Sequence, residues 1–122
     1  MPVPLQITFH ELPSSPAVET QIRERAESLE RHCDRLTSCR VIVEGRHRAQ
    51  RPAQQFHVRV ELTLPGKVIT VGKHPAEYQA HDDIFVAVRS AFDAVRRRLD
   101  HHAQRRHGEV KHHRRAPEPA EA

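Results

Sequence analysis

The stretch Asp82–His107, DDIFVAVRSAFDAVRRRLDHHAQRRH, decides how this chain is read. Ile84, Val88, Ala91, Val95 and Leu99 recur at steps of four, three, four and four, and Phe85 and Phe92 widen the stripe by one neighbouring row. That is the period of an amphipathic helix docked on a core. Asp82 and Asp83 stand where an N-cap belongs, and their charge suits the positive end of a helix. Around the stripe lie Arg89, Arg96, Arg97, Arg98, Arg105 and Arg106. At ~100° per residue, Arg97, His101 and Arg105 form one exposed row, with Arg89 and Arg96 on another flank. One helix is therefore expected both to hold the domain together and to carry most of its excess charge.

That charge is unevenly distributed. Residues 1–88 carry 11 Lys/Arg against 11 Asp/Glu and are neutral, whereas residues 89–115 carry 9 Lys/Arg, including Lys111, against Asp93, Asp100 and Glu109. A neutral body with a basic end points to a polyanion, and inside a cell that usually means nucleic acid. The plainer reading, a basic helix that only solubilises the surface, fits less well because the bias is confined to one contiguous region.

Upstream of this helix the periods alternate between two and 3.6. Val3, Leu5, Ile7 and Phe9 point one way along a half-buried strand over 3–10; Pro4 lacks a backbone donor, so either its start is frayed or the strand lies at an edge. Ser14, Ser15 and Pro16 open a helix expected over 16–36, whose apolar face is Val18, Ile22, Ala26, Leu29, Cys33 and Leu36. A second strand is expected over 38–45, then a polar loop over 45–55 with Arg46, Arg48 and Arg51. A strand over 56–64 follows, alternating Phe56, Val58, Val60, Leu62 and Leu64 with polar residues. Leu64-Pro65-Gly66-Lys67 is a turn into a fourth strand, 67–73, and 74–81 connects to the long helix. After Gly108 no apolar period remains and prolines appear, so 108–122 reads as a flexible tail, basic and then Pro/Glu-rich. The order β-α-β-β-β-α, with each strand apolar on one side, gives an α+β two-layer sandwich: a four-stranded sheet with two helices on one face. The other face, with Arg40, Arg59 and Thr63, is expected to meet solvent.

At 122 residues the chain is one domain with a modest core. It has no apolar run of membrane-span length and no signal pattern at MPVPLQITFHEL, so a cytoplasmic location without a membrane partner is expected. Cys33 and Cys39 read as reduced, half-buried thiols rather than a disulfide framework.

Three segments resemble a known family, the short ribosome hibernation-promoting factors and ribosome-associated translation inhibitors. They are LERHCDRL (29–36), LPGKVITV (64–71) and DIFVAVRSAFDAVRRRL (83–99). The resemblance spans residues 3 to about 105 in the same element order. It implies a fold similar to a double-stranded-RNA-binding domain with an extra first strand, here over 1–107. It also implies binding to small-subunit rRNA in the decoding region, with inhibition of translation or promotion of ribosome hibernation under stress. Arg25 stands at a basic position of the family on the first helix and Arg97 at one on the last. Ser28 and Ala94 stand where lysine is common, and His101 takes a usually basic position. The 74–81 connection is longer than usual, and no counterpart of the second, dimerising domain of long members is seen, which suits a monomer when free.

The chemistry of the residues agrees with a binding role. Phe9, Phe56, Phe85 and Phe92 fall in phase with apolar faces, leaving only Tyr78, so base stacking on the sheet has little to use. Contacts to phosphate and RNA shape through guanidinium groups are expected instead. The RNA-binding candidates are Arg25, Arg89, Arg96, Arg97, Arg98, His101, Arg105, Arg106 and Lys111. His101, His102, His107, His112 and His113 cluster at the end without metal-ligand spacing, so no metal or other cofactor is expected. His10, His32, His57 and His74 read as single surface positions. No phosphate loop, nucleophile elbow or paired catalytic carboxylates occur, which argues against an enzyme and a small-molecule substrate. The competing class is a protein–protein adaptor that uses the open sheet face without binding RNA.

Overall fold

The computed structural model describes residues 3–48, 51–72 and 83–115, with the side chains of 46–48, 51–54 and 104–115 outside what is described. The elements are β1 (Leu5–His10), α1 (Pro16–His32), β2 (Ser38–Arg48), β3 (Arg51–Leu64), β4 (Lys67–Val71) and α2 (Ile84–Arg115). They form an α+β fold in the expected order. The sheet runs β1-β2-β3-β4, with β1 parallel to β2 and the other neighbours antiparallel. The parallel pair is reached by the α1 crossover, as two parallel neighbours require.

Period-two alternation puts Cys39, Val41, Val43, Val58, Val60, Leu62, Leu64, Ile69 and Val71 on one face of the sheet, all buried. Helix α1 adds Val18, Ile22, Ala26 and Leu29. Helix α2 packs over β3 and β4 and adds Val88, Ala91, Phe92, Val95 and Leu99. Each fully buried Val, Leu or Phe contributes roughly 1.5–3 kcal/mol. Ser15 caps α1 through Val18 N–H at 3.4 Å, with Pro16 at the first helical position. The turn 64–67 closes on paired Leu64 and Lys67, and Gly66 takes the positive φ (72°) that the turn demands.

Four expectations change. Helix α1 stops at His32, not 36. Cys33 is extended, and its N–H donates to the Leu29 carbonyl at 2.8 Å. The short turn after it lets Leu36 drop into the core before β2 begins. Within the polar stretch expected as a loop, residues 45–48 and 51–55 form a ribbon instead: Gly45 pairs with Phe56, Arg46 with Gln55 and Arg48 with Arg51, with a register shift between Arg46 and Arg48. Neither β1 nor β4 reaches these rungs, so they extend as two strands beyond the four-stranded part. Backbone pairing satisfies their polar groups without any apolar alternation that a periodic reading could detect. Helix α2 continues past His107 to Arg115. Gly108 costs about 1 kcal/mol relative to Ala in a helix but does not block it as a proline does, and the first downstream proline is Pro117. The fourth strand ends at Val71 because Gly72, at φ 84°, turns the chain over β3. A Cβ there would sit 2.5 Å from the Val58 carbonyl oxygen. The 74–81 connection, Asp82 and residues 116–122 lie outside the described residues.

Three side chains also depart from expectation. Phe85, at the rim of the stripe in the first turn of α2, is 44% exposed. His57 belongs by alternation to the outer face, yet it is buried, because the bend at Gly72 folds over it and the Gly72 carbonyl accepts from its Nε2 at 2.8 Å. Cys33 and Cys39 are both free thiols as expected, but only Cys33 is half-buried. Burial pushes the Cys39 thiol up to about 12. Iodoacetamide at pH 8 is therefore expected to label the native protein at Cys33 and the unfolded protein at both cysteines. Mass spectrometry of the labelled chain checks this, and a native protein modified at Cys39 would show that the strand does not hold it buried.

Candidate nucleic-acid interface

Asp83 fixes where α2 begins. Its Oδ1 accepts from Phe85 N–H at 2.8 Å and its carbonyl from Ala87 N–H at 3.0 Å. The buried stripe then fixes how the helix is rotated. At ~100° per residue, Asp93, Asp100, Arg89 and Arg96 fall on one flank and Ala94, Arg97, Arg98 and His101 on the other.

The first flank faces α1. Gln21 Nε2 donates to the Phe85 carbonyl at 3.1 Å, Arg25 Nη1 lies 3.7 Å from Asp93 Oδ1, and His32 Nε2 contacts Asp100 Oδ1. The partners ascend together, so the two helices run in the same direction. Both carboxylates of α2 within its described side chains are turned to this seam. The pairs are partly solvated, so each contributes no more than about 1 kcal/mol. Their larger effect is to remove negative charge from the rest of the helix surface.

The second flank faces the edge strand β4. Between the two runs a groove of about 660 Å³, lined by Lys67, Val68, Ile69, Thr70, Ala94, Arg97, Arg98, His101 and His102. No carboxylate is among these described residues. Arg98 Nη1 donates to the Thr70 carbonyl, which ties the helix to the sheet edge and occupies a backbone acceptor that an edge strand would otherwise leave open. Lys67 and Val68 are exposed on β4, and Arg97 and His101 are exposed on α2. The groove thus offers fixed cations along a wall of strand backbone, an arrangement suited to phosphate groups in series.

The expected residues are sorted by this geometry. Arg97, Arg98 and His101 come together in the groove. Arg89 and Arg96 are exposed on the α1 flank. Arg25 sits at the helix seam, its charge shared with Asp93. Arg105, Arg106 and Lys111 lie on the α2 backbone, with side chains outside what is described. Sequence reasoning missed Lys67. The Pro65-Gly66 turn marks it as the first residue of β4, but only the docking of α2 beside that strand brings it to Arg97. It also missed the seam, although Arg25 and His32 on one helix and Asp93 and Asp100 on the other share a spacing of two turns.

A model of the family described as Sigma 54 modulation protein / S30EA ribosomal protein matches residues 5–107. Comparison with curated proteins finds no match. Among solved structures, a ribosomal subunit interface protein from Coxiella burnetii covers 82% of this chain and 97% of its own at 16% identity, with a TM-score of 0.65. The N-terminal domain of Protein Y from Thermus thermophilus covers 81% and 96% at 17% identity, with a TM-score of 0.53. At these identities the likeness concerns the fold.

The seam has a measurable consequence. Asp93→Asn is expected to lower unfolding stability by no more than about 1 kcal/mol, and to raise affinity for RNA at low salt by freeing the charge of Arg25. Denaturant titration and RNA titration on the same sample check both halves. A destabilisation well beyond that, or unchanged affinity, would show that the pair is not a screened charge-neutralising contact.

Proposed function

The chain belongs to the Sigma 54 modulation protein / S30EA ribosomal protein family, and from that premise we propose that it is a ribosome-associated factor that binds small-subunit rRNA in the decoding region. There it blocks translation or holds idle ribosomes in hibernation. It is a binding factor and not an enzyme. It works in the cytoplasm, where ribosomes are, and among the described residues no helix is long and apolar enough to cross a membrane.

The observation that carries this reading is the groove between β4 and α2. Lys67, Arg97, Arg98 and His101 line it, while Asp93 and Asp100 are turned away to α1. A positive strip with its counter-charges removed to another face is what an RNA backbone requires. Neutralising phosphates releases counterions and makes affinity salt-dependent. Of the exposed phenylalanine and tyrosine side chains that stack bases on a sheet, the described residues offer only Phe85, and that one lies on a helix. Backbone contact therefore dominates.

Because Arg98 also holds Thr70, the clean test removes Lys67 and Arg97. The double change Lys67→Gln, Arg97→Gln is expected to keep the circular dichroism of the parent. It should weaken small-subunit binding at low salt and reduce the salt slope of log affinity by about 0.7–0.9 for each phosphate that is no longer neutralised. The control Arg89→Gln, Arg96→Gln on the α1 flank should change the slope less. Equal weakening by both pairs would remove the groove as the interface, and unchanged binding with either pair would remove α2.

A further inference from the structure

The groove is not a simple trough. Beside it lies a smaller cavity of about 220 Å³ between α2, the middle of β3 and the end of β4. Ala94, Arg97 and Arg98 line both spaces, so these residues stand where the two meet. Behind them the helix contributes only small side chains, Ala87, Ser90 and Ala91, and the strands contribute the apolar Val58 and Val71. His57, whose ring is held through Nε2 by the Gly72 carbonyl at 2.8 Å, also belongs to the lining.

This combination narrows the ligand. A phosphate alone gains nothing from valine and alanine walls, and an aliphatic ligand has no use for the serine, the histidine and two arginines beside them. A flat ring with apolar faces and a polar edge, attached to an anion, uses both. The volume lies below the roughly 300–1,000 Å³ of sites for whole drug-sized ligands, so it admits one ring system and leaves the attached phosphate outside, at Arg97. We propose that the cavity receives a single unpaired RNA base, swung out of its strand while the adjoining phosphate lies on the groove arginines. This inference rests on the RNA-binding reading above. It adds that the protein distinguishes RNA with an unpaired nucleotide from continuous duplex, through a cavity in place of the stacking platform the sheet lacks. A bulged base enters such a pocket readily because it has little pairing and stacking to lose.

The test uses the full chain and three hairpin RNAs of about 16 base pairs, a length that spans two minor grooves. One is fully paired, one carries a single bulged uridine, and one carries an abasic residue at the bulge. The parent protein is expected to bind the uridine bulge about tenfold more tightly than the paired hairpin, the scale of one accommodated base, and the abasic RNA no better than the paired one. Ala94→Leu, at a half-buried helical position, fills the cavity mouth without touching a charge. It should bind all three alike, with the salt slope of the parent. If the abasic RNA binds as tightly as the uridine RNA, the preference is for a flexible backbone and the pocket takes no base. A preference that survives Ala94→Leu overturns the proposal as well. Salt-sensitive binding of all three RNAs without discrimination overturns the base pocket and leaves the groove intact, whereas binding of none of them overturns both.

Discussion

Everything distinctive about this molecule depends on how α2 is rotated about its own axis. Val88, Ala91, Phe92, Val95 and Leu99 lie on β3 and β4, and burying them leaves one angular setting for the helix. Turning it by one residue, ~100°, would expose part of this stripe and bury a guanidinium, a change that several buried side chains at roughly 1.5–3 kcal/mol each oppose. The apolar contact therefore decides where the charges go, although it contains no charge itself.

With that setting fixed, the polar residues of α2 are divided by sign as well as by position. Carboxylates meet Arg25 and His32 at the seam with α1, and Arg97, Arg98 and His101 meet the edge of β4. The net charge of +4 is modest for the chain as a whole. What makes it effective is that the opposing charges are held on another face, so the field along the groove is larger than the total implies. Arg98 belongs to both the fold and the site. It fastens the helix to Thr70 and keeps the groove wall at a fixed distance, which preorganises the groove.

Most of the fold was legible because period two and period 3.6 are strong signals where one face is buried. Val58 to Leu64 and the α2 stripe are examples, and the Pro65-Gly66 turn joined the last two strands by its chemistry. The ribbon formed by 45–48 and 51–56 was not legible, since it is held by backbone pairing and shows no apolar alternation. The burial of His57 was also hidden, because it follows from a backbone bend at Gly72 and not from its place in the strand. In the site, the arginines of α2 could be read as exposed, but their division between two flanks could not. That division depends on the sides from which α1 and β4 approach the helix. Lys67 was invisible for the same reason: a residue distant in sequence joins the site only through strand order.

The claim at the centre of this account is that the groove between β4 and α2 engages the small ribosomal subunit through phosphate contacts. The most direct measurement is sedimentation of the purified protein with isolated small subunits over a series of salt concentrations. The account expects the protein to travel with the subunit at low salt and to return to the top of the gradient as salt rises, along a log–log line whose slope counts the phosphates neutralised. A protein that remains at the top at every salt concentration, or one that stays bound with no dependence on salt, would contradict it.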